Sequence, residues 1–468
     1  MKINSGRNSF TGQLGFILAA AGSAVGLGNI WRFPYLAAKD GGGLFLFIYL
    51  ILAVTFGYTM LFSEITLGRK TRLGPLSAYG ALDKRCGFLG ILGCLIPAII
   101  MPYYCAIGGW VLKYLVTFLT GDGLLAANSK FFGGFITQVN EPILYMVIFL
   151  LLVSLIVISG VEKGIEGSAR LIMPTLFVLI LIIGGFSLSL SHTDADGTVR
   201  TGMQGLMIYL IPDFTGQTFT SILNVVLDAM GQLFFSISVA MGIMVAYGSY
   251  VRDEDNLASA TGHIEIFDTL AAFLAGVMIL PTVYAFAGRE GLAAAGPGLI
   301  FVALPKIFAE MGTMGTVIGI MFFALVLFAA LTSAVSIMEA VVSSFMDEFG
   351  LQRRKATFIE AIIALIAGAI VCLGYNKLFF DIVLPNGAHA QVLDIMDYIS
   401  NNFLMPLIAF GTCIMIGWMA GPDAIINEAE KNGERFGRRG LYTIMIKYVA
   451  PTLLFVLFLQ ATGLMPKF

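Results

Sequence analysis

The apolar run from Gly15 to Tyr35, GFILAAAGSAVGLGNIWRFPY, is long enough to cross a bilayer, yet it carries Gly22, Gly26 and Gly28 in its middle. A spanning helix needs about 20 apolar residues to cover ~30 Å of hydrocarbon. Each glycine inside it costs roughly 1 kcal/mol relative to alanine. Three of them at mid-depth predict a helix broken in its own centre. Backbone unwound there cannot reach water, so its free N–H and C=O groups must be taken by protein, a cavity or a bound solute. The two half-helix ends also turn partial charges of opposite sign toward the break. A site for a small charged solute and its ions is the expected consequence.

The rest of the chain places this break in an all-α integral membrane protein. Of its 468 residues 58% are hydrophobic and 12% charged, with a mean hydropathy of +0.89, which excludes a soluble protein. A polar tail, residues 1–12 with Lys2 and Arg7, is followed by eleven expected spans. Lys2 and Arg7 ahead of an apolar run could suggest a signal peptide, but the internal glycines and ten further spans argue against one. The segment with Arg69, Lys70, Arg72, Lys84 and Arg85, and later Arg353, Arg354, Lys355, Lys431, Arg435, Arg438 and Arg439, puts the N-terminus in the cytoplasm and the C-terminus outside. The sixth span, about 222–250, contains a second interruption from Gln232 to Gly242. Broken helices five spans apart imply two inverted five-helix repeats with the site between them: 13–190, then 222–420, with an extra helix at 442–463. The fourth and fifth spans, about 142–159 and 169–190, are expected to be joined by a short loop holding Lys163 and Arg170. Five scattered cysteines suggest no disulfide framework, and the three histidines lack metal-ligand spacing.

Gly22-Ser-Ala-Val-Gly-Leu-Gly-Asn29 followed by Trp31-Arg32-Phe33-Pro34 resembles the first helix of the neurotransmitter:sodium symporters, and the likeness runs through nearly the whole chain. It implies two sodium sites. The second would use carbonyls of Gly22, Val25 and Ala329 with the hydroxyls of Thr332 and Ser333; the first would use Ala24, Asn29, Ser236 and Asp268. Asp268 replaces an asparagine common in the family. A charge at that depth costs at least ~2.5 kcal/mol unless paired, so sodium is its expected partner. Chloride-dependent relatives carry a serine where this chain has Ala272, so the fixed carboxylate is expected to replace chloride. The resemblance further implies a substrate cavity lined by Ala24, Gly28, Ile100, Tyr104, Phe235, Ser238, Met241, Ser333 and Ile337. An outer gate would pair Arg32 with Asp397, with Gln232 nearby. An inner gate would use Arg7, Tyr250 and Asp347, with Phe10 where a tryptophan is usual. Glu64 matches an acid that braces the unwound segments, and Gly164 followed by Pro174 matches a motif tied to unwinding of the fifth helix.

These features point to a sodium-coupled symporter, not an enzyme, that imports a neutral hydrophobic L-amino acid across a prokaryotic-type inner membrane. Monoamine members of the family meet their amine with an aspartate in the first helix, and here that position is Gly26. An ion channel would need a continuous polar lining, whereas the polar residues cluster at one depth. A sensor that kept the fold and lost coupling is the alternative. The expected partners are the amino acid, sodium and the bilayer, with no nucleic acid; oligomeric state does not follow from the sequence.

Overall fold

The computed structural model describes residues 9–193, 197–214, 217–292, 297–385 and 387–465. Ten helices among them are long and apolar enough to cross a membrane. An eleventh span results if the pair Gln13–Ala24 and Gly28–Lys39, bent by 52° at the break between them, is taken as one. The break lies where the glycines place it: helix ends at Ala24, and a π-helical turn, Gly28–Arg32, restarts it. Asn29 helps to reseal the free backbone, since its Oδ1 accepts the Gly26 N–H at 3.1 Å.

The sixth span repeats the device more severely. Helix runs over Phe219–Ser236 and resumes only at Ile243–Gly248. Between them Ser238, Ala240 and Gly242 have φ of 55°, 60° and 73°, a left-handed conformation that costs a non-glycine residue about 1–2 kcal/mol. Glu64, fully buried in the second span, fastens this strained segment by accepting the Ala240 N–H at 2.7 Å.

Two boundaries differ from the expectation. The fifth span begins at Val161, because Lys163 lies in a π-helical segment, Val161–Glu166, that runs directly into helix Gly167–Ser189; the turn is confined to Ser159 and Gly160, the latter at φ 91°. Arg170 likewise sits on that helix and not in a loop. Between the ninth and tenth spans an antiparallel hairpin, Ile382–Val383 with His389–Ala390, occupies a connection that hydropathy left unassigned. A second hairpin pairs Ser191–Thr193 with Val199–Thr201; Asp194 and Asp196 of that loop lie outside the described residues.

The second span meets the second half of the sixth almost backbone to backbone. A Cβ on Gly68 would stand 2.1 Å from the Val245 carbonyl, and one on Gly248 would stand 2.2 Å from that of Ile65. Neither position can take a side chain unless the helices part, which typically costs about 1–3 kcal/mol. Gly68→Ala is therefore expected to lower the melting temperature of the detergent-purified protein. Gly133→Ala, with no heavy atom within 4 Å of its added carbon, is expected to leave it unchanged.

Candidate functional site

The two unwound segments face each other across a cavity. All nine residues expected around a substrate line it, together with Ser23, Gly26, Leu27, Asn29 and Ile243. The cavity is narrow, about 20 Å³, which is room for about one water. Its polar end is a ring of hydroxyls on the first break. Ser238 and Ser333 both donate to the Ser23 carbonyl, at 3.1 and 3.0 Å, and Ser23 Oγ lies 3.2 Å from Ser238 Oγ. Ile100, Met241 and Ile337 close the apolar end. Phe235 covers the cavity because position 28 is glycine: a Cβ there would meet the Phe235 ring at 2.4 Å. Room at position 26 is equally restricted, for a Cβ would meet Ser333 Oγ at 2.6 Å.

Beside the cavity Asp268 is completely buried. Its Oδ1 accepts from Asn29 Nδ2 at 2.8 Å and Ser236 Oγ at 2.6 Å, and its Oδ2 accepts from Tyr49 OH at 3.4 Å. Sequence reasoning named three of these four residues; Tyr49, an ordinary-looking aromatic in an apolar span, gave no signal. The three side chains that donate to Asp268 are all neutral. Such a carboxylate lacks the cation that burial of a charge demands. Ala24 lines the cavity together with Asn29, which bonds Asp268. On the other flank of the break, Thr332 donates to the Ala329 carbonyl at 3.1 Å, and a Cβ on Gly22 would lie 3.5 Å from Thr332 Cβ. The eighth span thus brings Thr332 against Gly22 and turns Ser333 toward Ser23.

The expected outer gate is looser than a direct pair. Arg32 feels the charges of Asp397 and Asp228, but no described contact joins Arg32 to Asp397. Asp397 instead accepts from Asn401 at 2.6 Å. Gln232, expected near that pair, donates its amide to the Gly28 carbonyl at 3.0 Å and so braces the broken helix. Asp228 was missed; it binds Lys39 at 2.5 Å. In the turn after the first span, burial and the neighbouring Asp228 push the Asp40 carboxyl up to about 7, against the pull of Lys39 at 3.6 Å.

At the opposite end Arg7 lies outside the described residues, and Asp347 accepts the Gly74 N–H at 2.5 Å. Tyr250 belongs to a network that sequence reasoning did not include: it donates to Glu339 at 2.6 Å, while Arg353 clasps both Glu339 oxygens, at 2.5 and 2.9 Å. Phe10 is buried and ties the start of the first helix to this network, its N–H donating to the Tyr250 carbonyl at 3.2 Å and its ring set edge-on to Tyr247 and Tyr250. A second clasp is Glu166 on the π-helical start of the fifth span. It accepts the Thr11 N–H at 2.9 Å and pairs with Arg170 at 2.5 Å. A Cβ on Gly15 would collide with it at 2.1 Å.

This geometry has close parallels. The model of the Sodium:neurotransmitter symporter family matches residues 7–129 and 132–466. An uncharacterized sodium-dependent transporter of Bacillus subtilis, YhdH, is 31% identical over 97% of both chains. Another from Methanocaldococcus jannaschii is 31% identical over 92% of this chain and 85% of its own. The rat sodium- and chloride-dependent GABA transporter 2 is 24% identical over 91% of this chain and 75% of its own. Among solved structures, MhsT in complex with L-phenylalanine superimposes with a TM-score of 0.84 at 33% identity, covering 97% of this chain and all of that one.

Glu339 is completely buried and Arg353 is its cation, so removing the arginine leaves an uncompensated charge, a loss on the order of 3–5 kcal/mol. Arg353→Ala is expected to lower thermal stability sharply, and adding Glu339→Gln to it is expected to recover much of the loss. Additive losses in that cycle would mean the two side chains do not act as a pair.

Proposed function

Since the chain belongs to the Sodium:neurotransmitter symporter family and is a sodium-dependent membrane transporter, not an enzyme, we propose that it imports a neutral, hydrophobic L-amino acid coupled to two sodium ions and without chloride. The observation that carries this reading is Asp268, a buried carboxylate held only by neutral donors at the edge of a cavity with one polar and one apolar end. Sodium at Ala24, Asn29, Ser236 and Asp268 supplies the missing cation. Hard oxygen ligands suit it, and the substrate carboxylate, held by Tyr104, completes its shell. The Asp268 charge then does what chloride does in relatives such as the sodium- and chloride-dependent transporters, with Ala272 leaving the anion position empty of a hydroxyl. A second sodium at Gly22, Val25, Ala329, Thr332 and Ser333 ties the first-helix break to the eighth span.

The cavity walls argue for the cargo. Position 26 is a glycine packed against the Ser333 hydroxyl, so no side chain there meets a substrate amine. Carbonyls of the two breaks remain for the ammonium. Ile100, Met241 and Ile337 offer nothing to a charged side chain, whose unpaired burial costs several kcal/mol. The flexible Met241 thioether can repack around leucine or an aromatic ring, in keeping with the phenylalanine present in the MhsT structure. For a cargo to fit, Phe235 and Met241 must swing aside. Access alternates as the Arg32–Asp397 end and the Tyr250–Glu339–Arg353 end open in turn, the latter facing the cytoplasm as the distribution of arginine and lysine indicates.

A scintillation-proximity competition assay with labelled leucine in sodium tests the cargo and the anion together. Leucine, phenylalanine and tryptophan are expected to displace the label, tyramine and glutamate are not, and replacing chloride by gluconate is expected to change nothing. Displacement by tyramine or glutamate would contradict the cargo; loss of binding in gluconate would contradict chloride independence.

A further inference from the structure

Between the second and seventh spans an apolar groove of about 560 Å³ opens on the bilayer-facing surface. Its walls include Leu50, Val54, Ile266 and Leu270, each between 42% and 63% exposed. Only one end is charged. There Glu265, itself 6% exposed, has a buried Oε1 without a hydrogen-bond partner and an Oε2 that lies 3.9 Å from Arg438. Arg438 stacks 4.3 Å over the Tyr58 ring and donates to the Val54 carbonyl at 3.2 Å, so its guanidinium is held in place at the mouth of the groove, half in contact with the surroundings.

We propose that this groove is a binding site for an ethanolamine phospholipid of the cytoplasmic leaflet. One acyl chain lies along the second and seventh spans, the phosphate meets Arg438, and the ammonium donates to Glu265 Oε1. The depth is right for a headgroup. The seventh helix runs regularly from Leu257 to the kink at Gly288, where φ is 62°, so at 1.5 Å per residue it is about 46 Å long against ~30 Å of hydrocarbon. About five residues therefore project at each end, and Glu265, eight residues after Leu257, falls within about one turn of the hydrocarbon boundary. A carboxylate oxygen buried there without a donor is costly, and the ammonium satisfies it. An anionic lipid lacking an amine would engage Arg438 and leave that oxygen unsatisfied. Arg438 is the cation lining the mouth, which suits the phosphate. The deep end of the groove is closed by Tyr49, whose hydroxyl bonds Asp268, so an occupying chain packs directly behind the carboxylate of the first sodium site.

Native mass spectrometry of the full-length protein released from mild detergent, with equimolar phosphatidylethanolamine and phosphatidylglycerol of matched acyl chains, tests the site. The last lipid retained is expected to favour phosphatidylethanolamine by about tenfold, the size of one charge-assisted hydrogen bond. Glu265→Gln is expected to bring the ratio near one while both lipids are still retained. Leu50→Trp and Leu270→Trp, which fill the groove, are expected to lose both. Equal retention of the two lipids by the unmodified protein overturns the proposal, as does an unchanged preference in Glu265→Gln or unchanged retention in both groove-filling variants.

Discussion

The carboxylate of Asp268 gathers four helices at one point. Asn29 reaches it from the break in the first span, Ser236 from the end of the first half of the sixth, Tyr49 from the second, and Asp268 itself stands on the seventh. Each contact alone is a modest hydrogen bond, net about 0.5–1.5 kcal/mol and more to a charge. Together they fix where both breaks fall, because Asn29 also takes the Gly26 N–H and Gln232, one turn before Ser236, takes the Gly28 carbonyl. A carboxylate so placed is fully hydrogen-bonded and still short of a positive charge, and that deficit makes the centre of the bundle responsive to a cation.

Around this point the chain accepts local strain and holds it with buried acids. Glu64 restrains the left-handed stretch at Ser238 and Ala240, and Glu166 and Glu339 both hold the end where the first helix starts, one by Thr11 and Arg170, the other by Tyr250 and Arg353. The contrast with the far end is instructive. There Arg32 lies among Asp397 and Asp228 without a direct pair to Asp397, so that side is closed by Phe235 over Gly28 more than by charge. A closure made of a packed ring on one side and of buried ion pairs on the other gives the two ends different resistance to opening.

Much of this was legible in the residues. Glycines at 22, 26 and 28 locate the first break, since nothing but glycine admits Phe235 and Ser333 so close, and the hydroxyls of Ser238 and Ser333 announce themselves as polar groups at apolar depth. The cavity lining followed from matching positions to a family pattern, and the same residues do meet around one space. What escaped were groups whose partners are remote in sequence or chemically unremarkable. Glu166 bonds Thr11 across 155 positions, and between Lys163 and Arg170, in a stretch expected to be a loop, nothing marks it out. Glu339 looks like an isolated polar residue until Arg353 and Tyr250 are folded against it. Tyr49 is one aromatic among many. Gln232 was expected near the outer gate, and its bond to the Gly28 carbonyl left no mark in the sequence, because hydropathy carries no information about which freed carbonyl a side chain can reach.

If Asp268 and the substrate carboxylate bind one sodium ion between them, sodium and substrate cannot bind independently. Equilibrium binding of labelled leucine to the purified protein over a range of sodium concentrations, at constant ionic strength with choline, measures that linkage directly. The expected result is a leucine Kd that falls steeply as sodium rises in the wild type, and a much weaker dependence in Asp268→Ala. A leucine Kd independent of sodium, or the same dependence in Asp268→Ala, would contradict a shared ion at the centre of the two broken helices.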